Sequence, residues 1–203
     1  MPDLGDGAEG GAIFRAADAI ERGELVVYPT ETVYGLGADA LDPKAIERVF
    51  QAKGRDRDDP ISLAAPTAEA ALEYVSTSER SRAFMDEFLP GPVTVVAAKR
   101  ANVPDMLTAG GDRVGIRVPD HPVALDLLRT VAPLTATSAN VSGRPSVTDP
   151  ADLDPEIRSA AAVVLDGGET GGTGSTVVDV ERGKIHREGP LAAEIADWLS
   201  ANQ

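Results

Sequence analysis

The chain has no cysteine and only two histidines among its 203 residues. Disulfides, thiolate metal sites and cysteine nucleophiles are therefore excluded, and so is a histidine-rich metal centre. Aromatic residues make up 4% of the sequence, too few for the stacking platforms that grip single-stranded nucleic acid. No apolar run approaches the roughly 20 residues needed to span a bilayer. The opening residues, MPDLGDGAEG, lack the basic and apolar regions of a signal peptide, and a loose tail is expected over residues 1–10. A cytoplasmic location with no membrane contact is the resulting expectation. Positive charge is scarce as well, and the net charge is −14. Phosphate neutralisation supplies most nucleic-acid affinity, so stable binding to DNA or RNA is not expected of such a chain. The acidic residues are spread through the sequence rather than gathered in a tail. That spread suits a protein adapted to high salt, with an ordinary acidic protein as the alternative.

What remains is an α/β pattern. Residues are 42% hydrophobic, strands and helices alternate without repeat or linker, and residues 11–203 read as one domain built on a mixed sheet. The stretch from Leu25 to Asp39, LVVYPTETVYGLGAD, organises the rest. Leu25 to Tyr28 is a short buried strand ended by Pro29, which has no N–H to donate. Thr30, Glu31 and Thr32 then place two hydroxyls and a carboxylate at a strand end, where ligands sit in open α/β sheets. Gly35 and Gly37 suit a turn or a close ligand approach. Helices are expected over Gly11–Arg22, from Pro43 to Lys53 behind an Asp42 cap, from Thr67 to Tyr74, from Ser78 to Leu89, over Pro122–Thr130, between Asp152 and Ala162, and from Ala192 to Leu199. Strands are expected at Ile61–Ala65, Val93–Ala98, Val114–Val118, Leu134–Thr137, Val163–Leu165, Thr176–Val180 and Lys184–Arg187, the last two forming a hairpin around Glu181-Arg182-Gly183.

Polar loops follow several of these strands. Lys53, Arg55 and Arg57 stand on alternate residues beyond a helix end, so an extended loop would turn three cations toward one anion. A solvated cluster balanced by Asp56, Asp58 and Asp59 is the other reading. Ser138 and Asn140 open the SANVSGRPS loop, which suits a small polar ligand or a self-satisfied turn. Arg117 ends an otherwise apolar strand and needs a carboxylate or a substrate anion. Arg113 reads as a surface charge, and His121 as a solvated residue near a helix start. The GGTGS segment before Thr176 offers backbone N–H groups to an anion, but it lacks the Lys and the helix of a P-loop. Positioning and electrostatics over anionic groups, not covalent catalysis, is the chemistry available.

Taken in order, PTETVYGLG, KGR, PGPVT, VGIRVP, SANVSGRPS and GSTVVD resemble the YrdC-like domain of the threonylcarbamoyl-AMP synthases, over roughly residues 10 to 190. The resemblance implies an open twisted mixed sheet with helices packed on it and a central concave, electropositive cavity. It implies a nucleotidyltransferase that joins L-threonine, bicarbonate and ATP into threonylcarbamoyl-AMP and pyrophosphate for tRNA threonylcarbamoyladenosine modification. Mg²⁺ would accompany the ATP, and the product would pass to a tRNA-modifying threonylcarbamoyl transferase complex. Residue by residue, Lys53 and Arg55 would hold the ATP phosphates as the catalytic pair. Thr32, Arg117, Ser138 and Ser175 would contact threonine, and Asn140, Thr148 and Arg187 the nucleotide. Longer relatives carry a further C-terminal domain, for which this sequence is too short. Asp59, Ala64 and Arg113 depart from the residues usual in the family. They keep open a paralogue that handles another carbamoyl or acyl adenylate, and a non-catalytic RNA-binding protein of the same fold is the third reading.

Overall fold

The computed structural model describes residues 5–202. Its first helix, α1 (Gly5–Glu21), ends where Gly23 takes a left-handed φ of 73°. The start lies at Gly5 rather than Gly11, so the expected tail is helical from Gly5 onward, and residues 1–4 lie outside the described residues. The strand β1 (Leu25–Tyr28) is buried throughout and turns back at once into β2 (Gly35–Gly37), its antiparallel partner. Of the turn or close ligand approach expected of these glycines, the turn does not form: both lie in a strand. The cause is Tyr28, whose ring fills the space beside both: a Cβ at either position would stand 2.9 Å from a ring carbon.

Asp42 caps α2 (Pro43–Lys53) by accepting from the Lys44 N–H, and left-handed Gly54 ends it, as the sequence predicts. After β3 (Ser62–Ala64) come the single turn α3 (Ala68–Ala71), the two-residue strand β4 (Val75–Ser76), α4 (Glu79–Phe88) and β5 (Val93–Lys99). The expected helix from Thr67 to Tyr74 is thus short, because Arg100 donates to the Tyr74 carbonyl and β4 pairs with β5. The chain continues through β6 (Arg113–Arg117), α5 (Pro122–Thr130), β7 (Leu134–Ser138), a 3₁₀ turn at Pro150–Asp152, α6 (Pro155–Ala160), β8 (Ala161–Val164), the hairpin β9 (Thr176–Asp179) and β10 (Lys184–Arg187), and α7 (Ala192–Ala201).

The strands form one open mixed sheet in the order β10-β9-β5-β6-β3-β7-β2-β1-β8, with β4 pairing β5 to the side. Strand β8, expected at Val163–Leu165, spans Ala161–Val164 and is an edge strand, only partly covered. The larger core gathers residues of α2, α4, α6 and α7, among them Ile46, Phe50, Phe84 and Ile195, with sheet residues such as Leu63 and Val95. A second core joins Ile20 of α1 and Leu127 of α5 to Val26 and Leu134. The strands between these layers carry one concave face that neither core fills.

Candidate functional site

That face bounds a cavity of about 370 Å³. Side chains alternate across a strand, and the wall takes mainly alternate positions: Ser62 and Ala64 of β3, Thr94 and Val96 of β5, Arg113, Gly115 and Arg117 of β6, and on β7 Ala136 and Ser138 with Thr137 between them. Gly115 keeps the floor low, since a Cβ there would lie 2.5 Å from Ser62 Oγ and 2.8 Å from Thr94 Cγ2. Tyr28, Thr30, Thr32, Arg55, Ser175 and Arg187 add to the polar lining, together with Tyr34, Thr137 and Ser146.

The loop after β1 is fixed by its own side chains. Thr30 Oγ1 lies 2.9 Å from Thr32 Oγ1, donates to the Val33 carbonyl at 2.6 Å and accepts from the Thr32 and Val33 N–H groups at 3.2 Å. This Ser/Thr-type turn presents Thr32 to the cavity and holds Glu31 against Arg117. Arg117 is 93% buried, since its exposure is 7%. Its Nη2 donates to Glu31 Oε1 at 2.9 Å and lies 3.4 Å from Thr32 Oγ1; its Nη1 donates to the carbonyls of Gly91 (2.6 Å) and Val93 (3.2 Å). Of the two partners expected for Arg117, a carboxylate or a substrate anion, the fold supplies a carboxylate, Glu31.

On the opposite wall, Arg187 Nη2 donates to Ser175 Oγ at 3.0 Å, and that hydroxyl lies 2.8 Å from Thr94 Oγ1. Arg187 Nε donates to the Ser175 carbonyl at 3.0 Å. Burial, and then the nearby Arg117, hold the Arg187 guanidinium below its ordinary range. A cation disfavoured in this way gains most from an anionic ligand.

Of the nine residues named from the sequence, Thr32, Arg55, Arg117, Ser138, Ser175 and Arg187 meet at the cavity, while Lys53, Asn140 and Thr148 stand outside its lining. The expected convergence of Lys53, Arg55 and Arg57 does not occur. Lys53 is still helical, and left-handed Gly54 turns the chain, so alternation cannot align the three. Lys53 is buried and its ammonium donates to the carbonyls of Ser138 and of Asn140, the latter at 2.7 Å. Burial, then the charge of Arg55, bring its pKa down to about 8. Lys53 thus braces the 138–140 loop from behind. Arg55 faces the cavity, with Nε donating to the Asp59 carbonyl at 3.1 Å and Nη2 to the Pro60 carbonyl at 3.0 Å. Arg57 is spent on Glu47 at the exterior. Asn140 donates to the Val141 and Arg144 carbonyls and shapes its own loop. Thr148 accepts from the Thr170 N–H through its carbonyl.

Two other readings are corrected. Arg113 is not a surface charge: it lines the cavity and pairs at 2.8 Å with Asp179, which is fully buried. Its place two residues before Gly115 and four before Arg117 on one strand was the available signal. His121, at the start of α5, is only partly solvated: its Nδ1 is buried without a partner, and burial lowers its pKa. Thr94 and Tyr34 were missed. Thr94 sits in an apolar strand whose period shows only an inward face. Tyr34 gives its hydroxyl to the glycine-rich loop, accepting from Gly167 N–H at 3.0 Å and donating to the Gly168 carbonyl at 2.7 Å. A larger groove of about 750 Å³ lies between α2 and α6, but alanines make up much of its wall and its Arg48 is committed to the Gly23 carbonyl.

An open α/β sheet with a cationic concave face defines the class, and comparison defines the family. Residues 18–189 match the family Sua5_yciO_yrdC, described as Telomere recombination, and the chain belongs to it. It is 42% identical over 169 residues to the threonylcarbamoyl-AMP synthase of Pyrococcus abyssi, covering 81% of this chain and 49% of that protein. It is 37% identical over 195 residues to a putative threonylcarbamoyl-AMP synthase of Mycobacterium tuberculosis, covering 94% of this chain and 90% of that one. The crystal structure of P. abyssi Sua5 complexed with L-threonine superposes with a TM-score of 0.82 at 39% identity, covering 94% of this chain and 57% of that one. The chain thus spans about half the length of the P. abyssi relative.

Proposed function

We propose that this cavity makes threonylcarbamoyl-AMP from L-threonine, bicarbonate and ATP, with release of pyrophosphate. The observation that carries the reading is the gathering of Arg55, Arg113, Arg117 and Arg187 around one cavity in a chain of net charge −14. Every substrate of this reaction carries a negative group, and such guanidinium groups neutralise and orient anions through forked hydrogen bonds. The names of the relatives, and the L-threonine in the P. abyssi complex, support the same reading.

In this scheme Arg117 takes the threonine carboxylate, while Thr32 and Ser175 read its hydroxyl. The threonine amine and bicarbonate condense to a carbamate with loss of water. A carbamate oxygen attacks the α-phosphorus of ATP, the bond to the bridging oxygen breaks, and pyrophosphate leaves. Arg55 and Arg187 hold the phosphates, where charge develops. Ser138 contacts the threonine from the loop that Lys53 braces, and Asn140 and Thr148 act on the nucleotide by shaping the loops around it. The described residues hold no group of three or more His, Asp or Glu side chains suited to a metal ion. Mg²⁺ would therefore arrive on the ATP phosphates, and its chemistry there is charge neutralisation. Such an enzyme acts in the cytoplasm and hands its product to a tRNA-modifying transferase.

The test is pyrophosphate release from ATP with bicarbonate, with and without L-threonine, in molar KCl. Threonine-dependent release with threonylcarbamoyl-AMP seen by mass spectrometry supports the reading. Release dependent on a different amino acid replaces threonine with that substrate, and no release from folded protein rejects the enzyme reading.

A further inference from the structure

We propose that Arg113 binds the leaving pyrophosphate, holding the β- and γ-phosphates of the nucleotide together with Arg55 at one end of the cavity. This rests on the reading of the cavity given above, whose scheme leaves Arg113 without a role.

The register of the sheet divides the four arginines by place. Arg113 and Arg117 line the same cavity four residues apart on β6, about 13 Å along the strand, too far to share one carboxylate. Strand β3 runs parallel beside β6, with Leu63 against Ile116 and Ala64 against Arg117. Carried back along the chain, that pairing brings Pro60 to the Arg113 end, and Arg55 is tied there by its 3.0 Å bond to the Pro60 carbonyl. At the other end Thr94 pairs with Arg117 across the strands, and Thr94 leads through the Ser175 hydroxyl to Arg187. The cavity thus has two cationic ends. Threonine at Arg117 sets its carbamate beside Arg187, where the α-phosphorus is met. As the carbamate oxygen bonds to that phosphorus, the bond to the bridging oxygen breaks and its electron pair leaves with pyrophosphate. The charge so released lies beside Arg55 and Arg113.

Arg113 is equipped to receive it. Its Nη2 is committed, donating to Asp179 Oδ1 at 2.8 Å and to the Val96 carbonyl at 3.0 Å. Its Nη1 has no hydrogen-bond partner among the described residues and, unlike Nε, is not closed off from solvent. Asp179 fixes the guanidinium without cancelling it, because that one carboxylate is shared: the Arg182 N–H donates to Oδ1 at 3.1 Å, and Arg182 Nε lies 3.7 Å from Oδ2. Two guanidinium groups around one carboxylate leave a net positive charge. A cation anchored from behind, with a donor free in front, is preorganised for a phosphate oxygen.

Calorimetric titration with inorganic pyrophosphate, of wild type, Asp179→Asn and the double variant Arg113→Gln with Asp179→Asn, tests this. Asp179→Asn keeps the shape and removes the counter-charge, so it is expected to bind pyrophosphate about threefold or more tightly than wild type. Adding Arg113→Gln, which then strands no buried carboxylate, is expected to weaken pyrophosphate about tenfold or more relative to Asp179→Asn. A gain followed by a loss is the signature, since a merely structural ion pair would give no gain. Equal pyrophosphate affinity in all three proteins, or no binding to wild type, overturns the proposal. So does a loss of L-threonine affinity, measured without ATP, as large as the loss of pyrophosphate affinity, because that would mark general damage. If Asp179→Asn does not fold, Arg113→Lys serves: it keeps the charge facing Asp179, loses the free donor and is expected to bind pyrophosphate more weakly, whereas unchanged affinity rejects Arg113. Should the pyrophosphate pattern hold while threonine-dependent release fails, Arg113 stands as an anion-binding residue and the threonylcarbamoyl reading falls.

Discussion

The ring of Tyr28 occupies the space that a side chain at Gly35 would need, with Cζ 2.9 Å from the position of a Cβ. The Tyr28 hydroxyl donates to the Thr135 carbonyl at 3.3 Å, and burial pushes its pKa up to about 12. It therefore stays a neutral donor at all working pH values. Because Tyr28 also lines the cavity, its packing on β2 links the sheet to the site.

Gly35→Ala is accordingly expected to destabilise the protein by about 1–3 kcal/mol, the usual cost of overpacking a filled interior. For a chain of this size that corresponds to a fall in Tm of about 2–4 °C per kcal/mol. Ala at Gly54 or Gly143, where nothing stands within 4 Å but φ is positive, tests backbone strain alone and is expected to cost about 1 kcal/mol. Thermal unfolding of the variants checks both. An equal Tm for Gly35→Ala and wild type would show that the ring yields freely.

Arg55 and Arg57 separate the cavity from its surroundings. Arg55→Ala is expected to abolish threonine-dependent pyrophosphate release while moving Tm little, because its bonds are to exposed loop carbonyls. Arg57→Ala, which removes only a surface pair with Glu47, is expected to leave the rate within about twofold of wild type and stability within about 0.5 kcal/mol. Steady-state rates for the two variants decide. Equal losses would mean that the alternating cations act together after all.

Much of the scaffold was legible because the punctuation is local. Asp42-Pro43, Gly23, Ser78 and the Glu181–Gly183 turn each act on the backbone within a few residues of themselves, and the elements begin or end where those residues dictate. The site was legible where a charged residue broke an apolar pattern, as with Arg117. It was not legible where a side chain's role depends on a distant partner. Lys53 reads as a phosphate ligand until β7 brings two carbonyls to it, and Arg113 reads as surface until Asp179 appears from the far end of the chain. The strand at Gly35–Gly37 was hidden for the same reason, since only the folded position of Tyr28 explains two glycines in a ladder.

The glycine-rich loop at 167–172 is held by few groups, and Tyr34 provides two of them. Tyr34→Phe removes both hydrogen bonds and leaves the ring in the core. The Gly172 N–H to Thr32 carbonyl bond and the Thr170 N–H to Thr148 carbonyl bond remain. Hydrogen exchange in Tyr34→Phe is expected to quicken at residues 167–170 and much less in β1, with a raised KM for threonine and a smaller change in kcat. Exchange unchanged at 167–170 would mean that the remaining backbone bonds suffice to hold the loop.

Lys53 gives the sharpest pH test. Its ordinary pKa of 10.5 falls to about 8 in the fold, so between those values the unfolded chain binds more protons than the native one. Stability contributed by this group therefore rises as pH increases from about 8 toward 10.5, and the cost of burying the charge is present in full below about 8. Lys53→Met removes the titration but leaves the Ser138 and Asn140 carbonyls without their donor. The difference in unfolding free energy between wild type and Lys53→Met is expected to shift in favour of wild type across that window and to be flat at pH 6–7. Lys53→Ala is expected to lose both stability and activity, because the loop carrying Ser138 is released. Denaturant titrations at a series of pH values measure the shift. A difference that stays constant from neutral to alkaline pH would show that Lys53 keeps its ordinary proton affinity, and that the loop is braced by a group no different from a solvated lysine.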